Sequence, residues 1–110
     1  MRQLFMLPHF CKVVNVLFIC NFNRQRSKTA EQIFNDLFST KSAGLYNNAV
    51  TQEQLDWAEV IAVMNEEMQK ELLSRFPSCK KRIVVLDIPS MPYMSPELIA
   101  VLKERVSFRL

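Results

Sequence analysis

Short apolar runs alternate with amphipathic segments along most of the chain. Residues 13–19 read V-V-N-V-L-F-I, a run rich in β-branched residues that is typical of a strand buried on both faces. In the following segment, the apolar residues at 30, 33, 34, 37 and 38 share the spacing of one helical face. The pattern therefore predicts a strand, a short loop and a helix.

The alternation continues with three further strand and helix pairs. Strands are predicted over 41–44, 60–63 and 82–86, and helices over 51–57, 64–76 and from 95 toward 106. Thr51-x-x-Gln54 is a capping-box pattern, and Ser95 followed by Pro96 is typical of an N-cap and a first helical residue. This order predicts an α/β fold with a four-stranded parallel sheet and helices on both faces, in three layers.

Length and charge narrow the class of protein. A chain of 110 residues is the size of one compact domain. Residues 1–12 show no clear period and contain Pro8, so we expect an irregular lead-in followed by a single domain over 13–110. The net charge of +3 is spread along the chain, which argues against a nucleic-acid partner and against low-complexity sequence.

The cysteines favour neither a disulfide scaffold nor a metal site. Cys11, Cys20 and Cys79 are an odd number and lack both a C-x-x-C spacing and a nearby histidine. The apolar stretch over 4–20 is interrupted by Pro8, His9, Lys12 and Asn15, so it is too short to span a membrane. We expect a reduced, cytoplasmic protein without a metal, a cofactor or a membrane partner.

Candidate chemistry lies in the loop after the first predicted strand. In open α/β sheets, ligands bind beyond the carboxyl ends of the strands. The segment here, called the phosphate loop below, reads Cys20-Asn21-Phe22-Asn23-Arg24-Gln25-Arg26-Ser27. Backbone N–H groups of such a loop and of the helix that follows favour an anion, and Arg26 can hold two phosphate oxygens. The same field stabilises a thiolate at Cys20 and makes it a nucleophile.

These residues resemble the low-molecular-weight protein tyrosine phosphatases. The resemblance covers most of residues 13–106 in matching order, and the chain is identified as a compact, short member. The matching segments are the phosphate loop with its flanks, S-A-G-L at 42–45, W-A-E-V-I-A-V-M at 57–64, L-D-I-P at 86–89 and Y-M-S-P-E-L at 93–98. The resemblance implies a flavodoxin-like fold of the phosphotyrosine phosphatase I type.

The resemblance also implies roles for residues of the phosphate loop. Cys20 would become a phosphocysteine, Arg26 would bind the phosphoryl group, and Ser27 would hydrogen-bond the thiolate. Asn23 would brace the loop, in a left-handed conformation that asparagine tolerates. Tyr46 and Tyr93 are weaker candidates for walls of the cleft that stack on an aryl group.

The family's chemistry requires a carboxylate that protonates the leaving group and then activates water. Of the three aspartates, only Asp87 ends a predicted strand at the same sheet edge as Cys20, so we expect Asp87 to be this acid. Compact relatives carry a second acid where this chain has Ser90, and a further usual acid is replaced by Ser95. If the working acid belongs at position 90, this chain has lost it.

Three functions are compatible with these residues. The first is a phosphatase that uses Cys20 and Arg26 on a phosphotyrosine protein or a small aryl phosphate, with phosphate or other oxyanions as ligands. The second is a weakly active or inactive module of the same fold that binds phosphate or a phosphoprotein. An arsenate reductase is disfavoured because it needs a further pair of resolving cysteines, and only Cys79 lies downstream.

Overall fold

The structure, a computed structural model, describes residues 14–110. The lead-in predicted for 1–12, with His9 and Cys11, lies outside the described residues. Strands and helices alternate in the predicted order. Their bounds are β1 (Asn15–Cys20), α1 (Arg26–Ile33), β2 (Ser39–Gly44), α2 (Gln52–Trp57), β3 (Val60–Val63), α3 (Glu66–Arg75), β4 (Arg82–Val85) and α4 (Pro96–Arg109).

The four strands form one parallel sheet in the order β2-β1-β3-β4. β1 pairs with β2 from Asn15 opposite Ser39 to Cys20 opposite Gly44, and its other edge pairs with β3. Consecutive residues of β1 and β3 are buried, as expected when both faces of a sheet are covered. The predicted three-layer α/β fold is confirmed, and its central strand ends at Cys20.

The main difference from the prediction is the end of α1. The apolar spacing extends to residue 38, but the helix ends at Ile33, and Leu37 is 70% exposed. The chain turns back after Phe34, whose carbonyl accepts from the backbone N–H groups of Leu37 and Phe38. β2 consequently begins at Ser39 rather than at residue 41, since the Ser39 N–H donates to the carbonyl of Val14.

Two predicted helix starts are present as capping motifs. At α2, the Thr51 side chain accepts from the Gln54 backbone and the Gln54 side chain accepts from the Thr51 backbone, which completes the capping box. At α4, the Ser95 hydroxyl accepts from the N–H of Leu98, and Pro96 occupies the first turn. These caps fix where the loops at the carboxyl edge of the sheet end.

The core on one side of the sheet connects α1 to β1. The ring of Phe18 stacks on Phe34 with centroids 5.8 Å apart, and Ala30 of α1 is fully buried. α1 also contacts α4, and Leu98 and Leu102 are buried residues of α4. The helix that begins in the phosphate loop is therefore held by the core and presents its first turn to the sheet edge.

Candidate active site

The phosphate loop joins the buried end of β1 to the start of α1. Cys20 is the last residue of β1 and is only 4% exposed, while Arg26 is the first residue of α1. Asn23 lies between them with a φ of 52°, and its side chain is buried. The loop thus turns at Asn23 through the left-handed conformation that the sequence predicted.

Hydrogen-bond donors converge on the Cys20 sulfur. The Ser27 Oγ lies 2.9 Å from Sγ, and hydrogen bonding by the backbones of Asn23, Arg24 and Ser27 lowers the pKa of the thiol. The Asn23 Nδ2 donates to the same Ser27 Oγ at 2.9 Å, so the hydroxyl hydrogen of Ser27 is free to point at the sulfur. The Asn48 Nδ2 in turn donates to the Asn23 Oδ1 at 3.2 Å, which holds the Asn23 amide in this orientation.

These contacts change the pKa of the Cys20 thiol. Burial raises the pKa of the Cys20 thiol. Hydrogen bonding by the Ser27 hydroxyl and by the backbones of Ser27, Arg24 and Asn23 lowers the pKa by a larger amount, so the net pKa lies below the ordinary value. A thiolate is the reactive form of cysteine, so this environment favours the reactive form of Cys20.

Arg26 is held beside the thiolate from across the sheet edge. Its Nη1 donates to the backbone carbonyl of Ile88 at 2.8 Å, and Ile88 lies in the segment between β4 and α4. Burial lowers the pKa of the Arg26 guanidinium, and the negative charge of Cys20 partly offsets that effect. Arginine remains protonated in proteins, so this side chain is a fixed cation close to Cys20.

A cavity of about 410 Å³ opens over the sulfur. Arg24 is exposed at its rim, with its guanidinium carbon 5.8 Å from the centre of the Phe22 ring. Among the described residues that line the cavity, none is an aspartate or a glutamate. The lining residues are Cys20, Asn21, Phe22, Arg24, Gln25, Arg26 and Ser90.

The structure places Asp87, the predicted acid, outside the set of residues that line this cavity. Asp87 follows β4 with a φ of 57°, and its exposed carboxylate accepts from the Arg109 Nη1 at 2.7 Å. Arg109 is the last residue of α4, so the left-handed turn and this ion pair direct the carboxylate to the end of that helix. Asp87 does not line the cavity, whereas Ser90 does.

The two tyrosines occupy different places. Tyr46 is 59% exposed, its ring centre lies 6.1 Å from that of Phe22, and the Arg75 guanidinium stacks over it at 4.9 Å. Tyr46 lines a neighbouring cavity of about 220 Å³ that shares Asn21 with the larger one. Tyr93 is 50% exposed and lines neither of these two cavities, so only Tyr46 is brought near the phosphate loop.

Two residues that support the loop are not among those the sequence analysis selected. One is Asn48, which bonds Asn23 across 25 residues of sequence. The other is Gly44, the only glycine of the chain, which lies opposite Cys20 at the end of β2. A Cβ at Gly44 would lie 2.9 Å from the Asn21 carbonyl oxygen and 3.1 Å from the Asn23 nitrogen. The loop backbone therefore approaches β2 too closely for a side chain.

The remaining chemistry-bearing groups form no second centre in the described structure. Within residues 14–110, no group of three or more histidine, cysteine, aspartate or glutamate side chains could hold a metal ion. Cys79 is a free, half-buried thiol. In the same part of the chain, no helix has both the length and the apolar character needed to span a membrane.

The fold resembles solved phosphatase structures at low sequence identity. A YwlE arginine phosphatase from Geobacillus stearothermophilus shares 20% identity at a TM-score of 0.66, covering 86% of this chain and 94% of that one. A low-molecular-weight phosphotyrosine phosphatase from Vibrio cholerae shares 19% identity at a TM-score of 0.71, with the same coverage of both chains.

A third structure is a cysteine-to-serine mutant of a YwlE arginine phosphatase with a phosphorylated active-site serine. It shares 14% identity at a TM-score of 0.61 and covers 86% of this chain and 88% of its own. No protein-family model and no curated protein matches the sequence. The strand order, the loop at the end of β1 and these structural matches together show that the chain has the fold of the low-molecular-weight protein tyrosine phosphatases.

Proposed function

We propose that the chain is a cysteine-dependent phosphatase that hydrolyses phosphotyrosine or other aryl phosphate monoesters through a phosphocysteine intermediate. The observation that carries the proposal is the Cys20 sulfur, which lies 2.9 Å from the Ser27 hydroxyl beneath a cavity that Arg26 also lines. A buried thiolate and a fixed guanidinium at one cavity suit a phosphoryl dianion and its attack by sulfur.

The expected reaction has two steps at the same sulfur. Backbone N–H groups of the phosphate loop and the Arg26 guanidinium hold the phosphoryl oxygens, and the Cys20 thiolate attacks phosphorus while the bond to the leaving oxygen breaks. Water then attacks the phosphocysteine, and phosphate is released. The phosphorylated active-site serine in the cysteine-to-serine YwlE mutant supports a covalent intermediate in a protein of this fold.

Exposed aromatic rings beside the cavity support an aryl phosphate or a phosphotyrosine protein as the substrate. Phe22 lines the cavity and is 51% exposed, and Tyr46 lies next to it. Rings in this position can stack on a phenol. A low-pKa thiol is oxidised outside a reducing compartment, which favours the cytoplasm as the working location.

A second candidate is a module that binds phosphate or a phosphoprotein with little turnover. It is favoured by the absence of a carboxylate among the described residues that line the cavity, together with the Asp87 to Arg109 ion pair. A general acid and base contribute about 10²- to 10⁴-fold in related chemistry, so their absence would slow both steps.

Hydrolysis of p-nitrophenyl phosphate by the purified chain tests the proposal. Wild type should turn over with release of phosphate, and Cys20→Ser should abolish turnover because serine is not ionised at neutral pH. Cys79→Ser, at the other free cysteine of the described residues, is the matched control and should retain activity. Arg26→Lys should raise KM and lower kcat, since lysine cannot hold two oxygens in a planar fork.

Direct measurement of phosphate binding separates the two candidates. Titration with inorganic phosphate or vanadate should show binding that Arg26→Ala removes. If wild type binds these anions through Arg26 but neither hydrolyses p-nitrophenyl phosphate nor forms a phosphocysteine detectable by mass, the binding module replaces the phosphatase.

A further inference from the structure

We infer that Asn48 is a positioning residue that fixes the orientation of the Asn23 amide and, through it, the direction of the Ser27 hydroxyl hydrogen. That hydrogen then points at the Cys20 sulfur. The inference rests on the proposed function for the use of Cys20 as a nucleophile, and adds to it a residue from outside the phosphate loop. Asn48 does not line the cavity over the sulfur, so it acts only through other side chains.

The backbone of Asn48 is held close to the end of β1. Asn48 lies in the turn after β2 with a φ of 49°, a left-handed conformation that asparagine tolerates better than most residues. Its carbonyl accepts from the Gly44 N–H at 3.0 Å, and Gly44 is paired with Cys20 in the sheet. The side chain of this exposed residue therefore starts from a fixed point beside the phosphate loop.

The hydrogen bonds from Asn48 to the sulfur run in one direction. The Asn48 Nδ2 can only donate, so the Asn23 atom that lies 3.2 Å from it must be the amide oxygen. The Asn23 Nδ2 consequently faces Ser27 and donates to its Oγ at 2.9 Å. Because the Ser27 oxygen accepts there, its hydrogen remains for the sulfur 2.9 Å away. A thiolate can only accept, so this direction suits the ionised form of Cys20.

The opposite orientation of the same amide would remove this donor from the sulfur. If the Asn23 oxygen faced Ser27, the hydroxyl would donate to that oxygen, and no hydroxyl hydrogen would remain for the thiolate. Asn23 is 4% exposed, so water offers little alternative to either partner. The donor at position 48 favours the first orientation, since only the amide oxygen can accept from it.

Asn48→Asp reverses this preference with little change in shape. An ionised aspartate only accepts hydrogen bonds, so it attracts the Asn23 Nδ2 and turns the Asn23 oxygen toward Ser27. We expect the acid ionisation constant of Cys20 to fall by about 10-fold or more, the scale of one hydrogen bond to a charged group. Asn48→Ala offers neither a donor nor an acceptor, so the Asn23 Nδ2 can stay on Ser27, and the fall should be smaller.

The pH dependence of alkylation by iodoacetamide measures this ionisation without any turnover, because only the thiolate reacts. The full chain is used with Cys11→Ser and Cys79→Ser, which leaves Cys20 as the one thiol. A purely structural role of Asn48 predicts the opposite ranking of the two variants, because a left-handed backbone accepts aspartate more readily than alanine. A larger upward shift of the midpoint in Asn48→Asp than in Asn48→Ala therefore identifies positioning.

Asn47→Asp is the matched control for the added negative charge. Asn47 is the neighbouring residue in the same turn, and its Nδ2 donates to the Phe22 carbonyl of the phosphate loop at 3.1 Å. That bond does not lead to the sulfur, so Asn47→Asp should shift the midpoint much less than Asn48→Asp. A double-mutant cycle isolates the relay. In a Ser27→Ala background there is no hydroxyl to redirect, and Asn48→Asp should then shift the midpoint no more than Asn47→Asp does.

Turnover links the inference to the proposed function and keeps the two distinguishable. At a pH below the midpoint, kcat/KM for p-nitrophenyl phosphate should fall in Asn48→Asp by the same factor as the alkylation rate. If Asn48→Asp shifts the midpoint no more than Asn47→Asp, or keeps its full shift without the Ser27 hydroxyl, the inference is wrong while the phosphatase stands. If wild type neither turns over substrate nor forms a phosphocysteine, the proposed function fails, and a role of Asn48 in turnover fails with it.

Discussion

Replacing Ser27 by alanine removes one identifiable donor from the Cys20 thiolate. The Ser27 Oγ lies 2.9 Å from the sulfur and also accepts from the buried Asn23 amide at 2.9 Å. A hydrogen bond to a charged group contributes about 1.5–3 kcal/mol, which corresponds to a fall of about 10- to 150-fold in the acid ionisation constant of the thiol. The pKa of Cys20 in Ser27→Ala should therefore rise toward its ordinary value.

The rate of alkylation by iodoacetamide measures this change because only the thiolate reacts. Cys20 is followed as a function of pH in a background of Cys11→Ser and Cys79→Ser, which leaves one thiol in the chain. The midpoint of the rate against pH should move upward in Ser27→Ala. At a pH below both midpoints, the observed rate should fall by the same factor as the ionisation constant.

A second hydroxyl supplies the matched control. Ser42 of β2 contacts the Glu31 Oε1 at 2.6 Å and has no bond to the sulfur, so Ser42→Ala should leave the midpoint unchanged. An unchanged midpoint in Ser27→Ala would refute the assignment of Ser27 as a donor to the thiolate. Ser27→Ala also leaves the Asn23 amide without its acceptor, and we expect a loss of about 1–3 kcal/mol in the free energy of unfolding.

Three further predictions concern the rest of the site. Asp87→Asn should keep kcat/KM for p-nitrophenyl phosphate within about threefold of wild type; a loss of about 10²-fold or more would support Asp87 as the acid. Gly44→Ala should lower the free energy of unfolding by about 1–3 kcal/mol or more, because its Cβ would collide with the backbone carbonyl of Asn47 and crowd the phosphate loop; an unchanged urea midpoint would contradict these contacts. The lowered pKa of Cys20 stabilises the folded chain only at pH values above the folded-state pKa of this thiol. The difference in melting temperature between wild type and Cys20→Ser should therefore increase with pH up to the ordinary thiol pKa and decrease as the pH is lowered. A difference that does not depend on pH would count against a thiolate.

Much of the fold is predictable because its signals are local. Continuous apolar runs mark strands that are covered on both faces, and the caps at Thr51 and Ser95 mark helix starts within four residues of sequence. The end of α1 is not predictable in this way. Leu37 fits the helical period, but the pairing of β2 with β1 makes the chain reverse at Phe34.

In the candidate site, too, the features with local sequence signals are predictable and those that depend on distant residues are not. Cys20, Arg26 and the left-handed Asn23 lie within one short segment, so their spacing in the sequence predicts their local geometry. The direction of the Asp87 carboxylate depends on Arg109, 22 residues later, and on a positive φ, which is uncommon for residues other than glycine. Position in the sheet indicated the edge where Asp87 lies but not the way its side chain faces.

The bond from Arg26 to the Ile88 carbonyl has a consequence for the thermodynamics of binding. A free arginine side chain loses about 2 kcal/mol of rotamer entropy when it becomes ordered. Here that loss is incurred when the chain folds, since the backbone after β4 holds the guanidinium before any anion arrives. The entropy of binding a small oxyanion should therefore be less unfavourable than for a flexible arginine, and calorimetry should show this in the sign and size of TΔS.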